Sequence, residues 1–130
     1  FSCDPYVVVW LGKQEVHRTK MIPKTTDPIW TVDTGSLFIL SATSRDFFQS
    51  SSGLTFLVKD YDTFGSNEVL GKVVIPQQEL LKAKAERVEY PLENLLEGFD
   101  ATKVVHAPKL NLRVRPATKD DFRFVKTLHK

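Results

Sequence analysis

The feature that most constrains the fold of this chain is a series of short runs rich in Val, Ile, Leu, Phe and Thr. Runs of this length, bounded by Gly, Pro, Asn and Asp, are typical of β-strands. Seven of them occur, at residues 6–11, 16–22, 36–41, 54–59, 69–75, 87–92 and 110–115. Seven strands separated by turns predict an all-β fold, an antiparallel β-sandwich.

The length and composition of the chain fit one such domain. Its 130 residues, 42% of them hydrophobic, suffice for one core and are too few for two ordinary domains. A formal net charge of +2 excludes a nucleic-acid binder held by a large basic surface. Cys3 is the one cysteine, which excludes an internal disulfide and fits a reducing compartment. Because the chain begins at Phe1, we expect it to be an excerpt of a longer protein.

Helix signals are few and lie outside the strand runs. Residues 77–83 follow Pro76 and predict one or two helical turns. Near the end, residues 118–121 (Thr-Lys-Asp-Asp) form a capping pattern before Phe122, which predicts a short C-terminal helix. We therefore assign residues 1–116 to the sandwich and 117–130 to a C-terminal linker or helix. The alternative for the helix is that it lies on a membrane surface.

An acidic cluster between two of the strand runs has a spacing suited to a cation. Asp60 and Asp62 are two residues apart, so their side chains point the same way from an extended segment. The turn at residues 65–67 can bring Glu68 back toward them. Several carboxylate oxygens then converge, as calcium requires. The cluster therefore predicts a calcium site.

Strand direction brings further acidic residues to the same place. If successive strands run antiparallel, the segments around Asp4, Asp27 and Asp60 all lie at one edge of the sandwich. Carboxylates packed together are high in energy unless a cation compensates for their charge. The sequence therefore predicts one acidic rim.

Two other interpretations of these acids were weighed. One is that they are ordinary loop residues, since Asp commonly begins turns. The other is an EF-hand, which fits worse. With Asp60 and Asp62 as its first and third ligands, Phe64 would be the fifth ligand and Gly71 the twelfth, where a bidentate Glu is needed.

Three segments of the chain resemble a known family. Residues 2–7 (Ser-Cys-Asp-Pro-Tyr-Val) resemble the Ser-Asp-Pro-Tyr-Val opening of the C2 domain, a calcium- and lipid-binding β-sandwich. Residues 25–30 (Thr-Thr-Asp-Pro-Ile-Trp) resemble its Thr-x-Asn-Pro-x-Trp turn, and residues 60–71 resemble its third calcium loop. The resemblance implies eight strands, of which the first, with one aspartate ligand, is missing from this excerpt. Residues 110–115 resemble the last strand of the permuted topology of the family.

The resemblance also implies which residues bind calcium. Asp4, Asp60 and Asp62 would be bridging carboxylate ligands, and the Tyr61 carbonyl would supply another oxygen. Glu68 stands where the family usually has Asp.

The resemblance further implies residues that contact lipid. Phe64, at the tip of the third loop, would enter the membrane interface; the alternative is that it folds back as a loop pin. Arg18 and Lys20 occupy alternate positions of the second strand and resemble part of the lysine cluster that binds phosphoinositides in some members. The alternative for these two residues is a solvated face.

The function expected from this resemblance is calcium-dependent binding to anionic phospholipids, phosphatidylserine and also phosphoinositides. Such a domain would target a larger intracellular protein to a membrane, so we expect a cytoplasmic, peripheral membrane protein. No catalytic constellation is visible, and we do not expect this segment to be an enzyme. The alternatives are a calcium-independent interaction or structural module, and the targeting domain of a lipid-metabolising enzyme such as a phospholipase or phosphatidylserine decarboxylase.

Overall fold

The secondary structure was obtained from a computed structural model, which describes residues 3–41, 53–61, 67–81, 86–93 and 109–128. The strands in these residues are β1 Pro5–Leu11, β2 Gln14–Arg18, β3 Leu54–Asp60, β4 Glu68–Ile75, β5 Arg87–Pro91 and β6 Lys109–Arg113. The helices are a 3-10 turn at Val32–Thr34, α1 Gln77–Leu81 and α2 Lys119–Leu128. Antiparallel strands with a short C-terminal helix confirm the predicted fold class.

The strands form two sheets. The larger sheet has the order β2-β1-β3-β4 and the smaller pairs β5 with β6, all antiparallel. The chain just after β5 meets β4 in an antiparallel bridge, where the Lys72 amide donates to the Glu93 carbonyl at 2.9 Å and the Glu93 amide donates back at 2.8 Å. The direction of β5 and β6 relative to β4 follows from this bridge.

Strand β1 occupies the centre of the fold because its sequence is apolar at almost every position. Val7 and Val9 face the main core, and they are 4% and 1% exposed. Tyr6 and Val8 point to the opposite face and are also buried. The core residues on β1, β3, β4 and β6 are Val7, Val9, Leu11, Leu54, Phe56, Val58, Val73, Ile75 and Leu110. The prediction that β1 is covered on both faces is confirmed.

The prediction of a strand at residues 36–41 is wrong. Phe38 and Leu40 pack against the core, and the Phe38 ring stacks on the His17 ring at 4.3 Å. The backbone there forms no strand. Two hydrogen bonds join the preceding residues to β2 and the segment after it. The Lys20 amide donates to the Thr34 carbonyl at 3.0 Å, and the His17 ring bonds to the Gly35 carbonyl at 2.7 Å. The apolar pattern at residues 36–41 therefore indicated which side chains pack against the core, but it did not indicate that the backbone pairs with another strand.

Helix α2 begins with the capping pattern that the sequence predicts. The Thr118 amide and hydroxyl donate to Asp121 Oδ2 at 2.7 and 2.9 Å, and the Asp121 amide donates back to the Thr118 hydroxyl at 3.3 Å. The Arg115 guanidinium donates to both Asp121 carboxylate oxygens at 2.6 Å. Since α2 has no buried residue, these local bonds are its main structural support.

Replacing Asp121 by asparagine is expected to lower the helix population of residues 119–128 at neutral pH. The pKa of the Asp121 carboxyl lies well below its usual value, first because of the Arg115 hydrogen bonds and then because of those from Thr118. A lowered carboxyl pKa stabilises the helix above the unfolded pKa of about 4, and this contribution is lost only as the pH falls through the folded pKa. In the unsubstituted protein the helix should therefore persist below pH 4. Cα chemical shifts of α2 at pH 7 and pH 3 measure both effects.

The matched control for this prediction is Asp120→Asn on the same helix. Asp120 contacts Arg123 at 3.4 Å, and both side chains are highly exposed, so its replacement should change the shifts little. Equal losses of helix in the two variants would contradict the role assigned to Asp121.

Candidate functional site

An acidic rim, defined here as Asp4, Asp60 and Glu68, lies where three parts of the chain meet. Asp60 ends β3, and it pairs with Pro5 on one side and with Glu68, the first residue of β4, on the other. Asp4 directly precedes β1. The structure thus brings together three of the residues that the sequence proposes as calcium ligands, and Tyr61 follows Asp60 directly.

Hydrogen bonds fix the two half-buried carboxylates of the rim. The Asp4 amide donates to Asp60 Oδ1 at 2.9 Å, and the Tyr61 amide donates to the Asp4 carbonyl at 3.0 Å. Asp4 Oδ1 accepts a bond from the Lys24 amide at 2.7 Å. Asp4 and Asp60 are therefore held next to each other by backbone donors.

The turn that the sequence places at the rim also lies there. Cys3 and Thr25 exchange backbone hydrogen bonds of 3.4 and 2.8 Å. Lys24, whose amide reaches Asp4, has a left-handed backbone with a φ of 50°, a conformation that costs a non-glycine residue about 1 kcal/mol. The Asp27 amide donates to the Thr25 hydroxyl at 3.0 Å, which closes the turn.

The charges of the rim act on a neighbouring thiol and on each other. The pKa of the Cys3 thiol is raised, first by burial and then by the charges of Asp60 and Asp4. Asp60 and Glu68 are direct cross-strand partners, and like charges in that position are destabilising. A bound cation would relieve this repulsion.

The donors at the rim suit a hard cation. Asp4, Asp60 and Glu68 carry carboxylate oxygens, and Tyr61 adds a carbonyl oxygen, the ligand types that calcium prefers. Within the described ranges, no group of three or more His, Cys, Asp and Glu side chains is close enough to hold a metal ion. The predicted ligand Asp62 and the predicted lipid contact Phe64 lie outside the described residues.

Basic residues share the outer face of the larger sheet, opposite the core. Cross-strand pairing places Arg18 beside Val8, Lys72 beside Leu57, and Lys59 beside Tyr6. We call Arg18, Lys59 and Lys72 the basic face. Arg18 also forms an ion pair with Glu15 at 2.7 Å. The prediction that Lys20 lies with Arg18 on the second strand is wrong, because β2 ends at Arg18; Lys20 follows the strand and is exposed.

Tyr6 and Asn67, to which the sequence analysis assigned no site role, connect the rim to the basic face. Asn67 Nδ2 donates to the Tyr6 hydroxyl at 2.8 Å, and the Tyr6 ring lies edge-on to the Tyr61 ring at 6.5 Å. The Arg18 guanidinium carbon lies 5.7 Å and Lys59 Nζ 6.0 Å from the centre of the Tyr6 ring. A phenol in an otherwise apolar buried strand is the signal that could have indicated this role, because a buried hydroxyl needs a partner.

Comparison with known proteins gives a consistent family. The sequence model of the C2 domain matches residues 1–92. "Multiple C2 domain and transmembrane region protein 2" of Arabidopsis thaliana is 40% identical over 80 residues, which are 61% of this chain and 7% of that protein. Human myoferlin is 34% identical over 74 residues, 56% of this chain and 3% of that protein. The chain thus spans less than a tenth of the length of these relatives.

A shorter relative and a solved structure are also similar to this chain. "Protein C2-DOMAIN ABA-RELATED 3" of Arabidopsis thaliana is 33% identical over 97 residues, 75% of this chain and 49% of that protein. The crystal structure of a C2 domain of RIM from Drosophila is 30% identical and has a TM-score of 0.45, with 58% of this chain and 60% of that chain covered. The missing first strand, the permuted topology and the domain limits at residues 116 and 117 stay predictions.

Proposed function

Because the chain belongs to the C2 domain family, we propose that it binds anionic phospholipid membranes in the presence of calcium. The observation that carries this proposal is the pairing of Asp60 with Glu68, next to an Asp4 that is bonded to Asp60. These acids bring unfavourable negative charge to one rim, and the fold holds them in place with backbone hydrogen bonds. Like-charged groups that are held next to each other in this way are expected of a cation site, because a bound cation offsets their repulsion.

Each rim residue has a part in this proposal. Asp4 and Asp60 would hold the ion with their carboxylates, Tyr61 with its carbonyl, and Glu68 from the paired strand; Asp62 is a further predicted ligand. Bound calcium would supply positive charge and coordination positions that the oxygens of an anionic lipid head group can complete. With its charge neutralised, the rim would no longer repel an anionic membrane.

The basic face would add attraction that does not require calcium. Each Lys or Arg close to an anionic membrane contributes about 1 kcal/mol. Arg18 contributes less, because Glu15 already neutralises part of its charge. The positive charges of the basic face and of Lys20 are the reason to include phosphoinositides as a second class of lipid that the domain would bind. Phe64 at the membrane interface stays part of the proposal, and its burial would contribute about 1–3 kcal/mol.

The proposal places the protein on the cytoplasmic side of a membrane as a peripheral component. None of the helices among the described residues is long and apolar enough to cross a bilayer. The module would target a larger protein and would not catalyse a reaction itself, including in a parent that modifies lipids. The competing function is a calcium-independent interaction module, and what favours it is that the described side chains alone complete no metal group.

Co-sedimentation with lipid vesicles tests the proposed function. The protein is mixed with vesicles of phosphatidylcholine alone, of phosphatidylcholine with phosphatidylserine, or of phosphatidylcholine with a phosphoinositide, each with calcium or with a chelator. We expect pelleting with phosphatidylserine in calcium and little in chelator, because only the neutralised rim attracts the anionic surface.

Each other outcome identifies an alternative. Equal pelleting in calcium and chelator, seen only with anionic vesicles, would assign binding to the basic face and refute calcium dependence. A folded protein that pellets with none of the vesicles would favour the interaction module.

A further inference from the structure

Tyr6 contacts both sides of the paired acids. Its hydroxyl accepts the bond from Asn67 at 2.8 Å, and its ring packs edge-on against the Tyr61 ring. Tyr61 directly follows Asp60, and Asn67 directly precedes Glu68. One buried side chain, 3% exposed, therefore touches a neighbour of each member of the acidic pair.

The acidic pair needs such a contact, because its own charges oppose it. Asp60 and Glu68 close the end of the ladder between β3 and β4, where repulsion between their carboxylates favours separation of the two strand ends. A β-bulge between Val58 and Lys59 interrupts the same ladder just before this point. The last paired positions therefore have less backbone support than the rest of β3.

The Tyr6 ring is itself held in a defined position. Arg18 and Lys59 both lie within about 6 Å of the ring centre, in the range of cation–π attraction. The backbone of Tyr6 pairs with Lys59 in the central ladder of the sheet. A fixed ring provides a fixed hydroxyl, so the bond to Asn67 restrains the start of β4 relative to β1 and β3.

We propose that Tyr6 is a positioning residue for the acidic rim: its bond to Asn67 and its contact with Tyr61 hold Asp60, at the end of β3, beside Glu68, at the start of β4. This inference rests on the proposed calcium binding. It assigns a function to a side chain that is not among the proposed calcium ligands and that lies on the face of the sheet opposite the main core. Calcium affinity should then depend on the hydroxyl of Tyr6, in addition to the carboxylates.

The test is Tyr6→Phe, which removes the hydroxyl and keeps the ring with its Tyr61 and cation contacts. Titration calorimetry with calcium alone, without lipid, is expected to show affinity weakened about three- to ten-fold, the effect of one hydrogen bond. Tyr90→Phe is the matched control. Tyr90 lies on β5 in the other sheet, and its variant should bind calcium as the unsubstituted protein does.

A double-mutant cycle separates positioning from general loss of structure. If Tyr6 acts through Asn67, adding Asn67→Ala to Tyr6→Phe should weaken calcium binding little further than the Asn67→Ala variant alone. Independent, additive losses would overturn the inference.

A measurement without calcium distinguishes this inference from the proposed function. Hydrogen exchange of the Tyr61 and Glu68 amides in the calcium-free protein should be faster in Tyr6→Phe than in Tyr90→Phe. If the unsubstituted protein binds no calcium, the proposed function fails and the inference fails with it. If it binds calcium and Tyr6→Phe binds equally tightly with unchanged exchange, only the inference is overturned.

Discussion

The Asp60→Asn variant is expected to lose calcium-dependent membrane binding while remaining folded. A carboxylate and a cation about 4 Å apart interact by about 4 kcal/mol for unit charges at an effective dielectric constant of 20. We therefore expect calcium affinity to fall about 100-fold or more. In the unsubstituted protein the Asp4 amide donates a hydrogen bond of 2.9 Å to Asp60 Oδ1. The asparagine side chain keeps an oxygen that can accept this bond, so the backbone of the rim should be retained. Calcium titration and vesicle pelleting measure the loss.

The melting temperature, measured without and with calcium, provides a second test of Asp60 as a calcium ligand. Without calcium, Asp60→Asn removes the repulsion with Glu68, so its melting temperature should equal or exceed that of the unsubstituted protein. Calcium should raise the melting temperature of the unsubstituted protein but not of the variant.

Asp33→Asn is the charge-matched control for Asp60→Asn. Asp33 lies in the exposed 3-10 turn Val32–Thr34, and its replacement should change neither calcium binding nor pelleting. Retained calcium binding in Asp60→Asn, or an equal loss in Asp33→Asn, would refute the assignment of Asp60 as a ligand.

Replacing Gly53 by alanine is expected to cause a large loss of stability. Gly53 has a φ of +67°, and a Cβ atom there would overlap the Ile75 carbonyl oxygen and lie 2.9 Å from the Gln77 amide nitrogen. Both are backbone atoms, one in the last residue of β4 and the other in the first residue of α1. Relief of the contact therefore requires the pairing of Leu54 with Ile75 to shift. The left-handed backbone alone costs about 1–2 kcal/mol for alanine, and we expect at least about 3 kcal/mol in total, measured by urea unfolding.

Gly12→Ala separates the two causes of that loss. Gly12 has a similar φ of 61° but lies exposed in the turn between β1 and β2. Its replacement should cost about 1–2 kcal/mol, the conformational part alone. Equal costs at the two positions would show that the contact with Ile75 is not what limits Gly53.

The sequence predicted that the acidic segments meet, although the strand count behind that prediction included residues 36–41, which form no strand. Asp4, the turn near Thr25 and Asp60 do meet: Cys3 and Thr25 exchange backbone hydrogen bonds, and the Asp4 amide donates to the Asp60 carboxylate. The continuous apolar run of β1 likewise predicted a strand buried on both faces. The prediction for β1 used only periodicity, which does not depend on exact register or on the number of strands.

The details of the rim depend on register, which the sequence did not reveal. The bulge between Val58 and Lys59 shifts the pairing by one residue, and that shift places Asp60 opposite Glu68. The Tyr6–Asn67 bond spans 61 residues and depends on the same shift. At residues 36–41 the reverse occurred, since the pattern correctly indicated buried Phe38 and Leu40 but could not indicate that their backbone has no ladder partner.

The direction of the strands places the acidic rim and the start of α2 at opposite ends of the domain. β4 runs away from the acidic rim, β5 returns toward it, and β6 runs away again to Arg113. The Arg115–Asp121 ion pair then fixes the start of α2 near that far end. A seven-residue strand such as β3 spans about 20 Å. In a domain docked through its rim, the start of α2 would thus stand about 20 Å above the lipid head groups, turned toward the aqueous side.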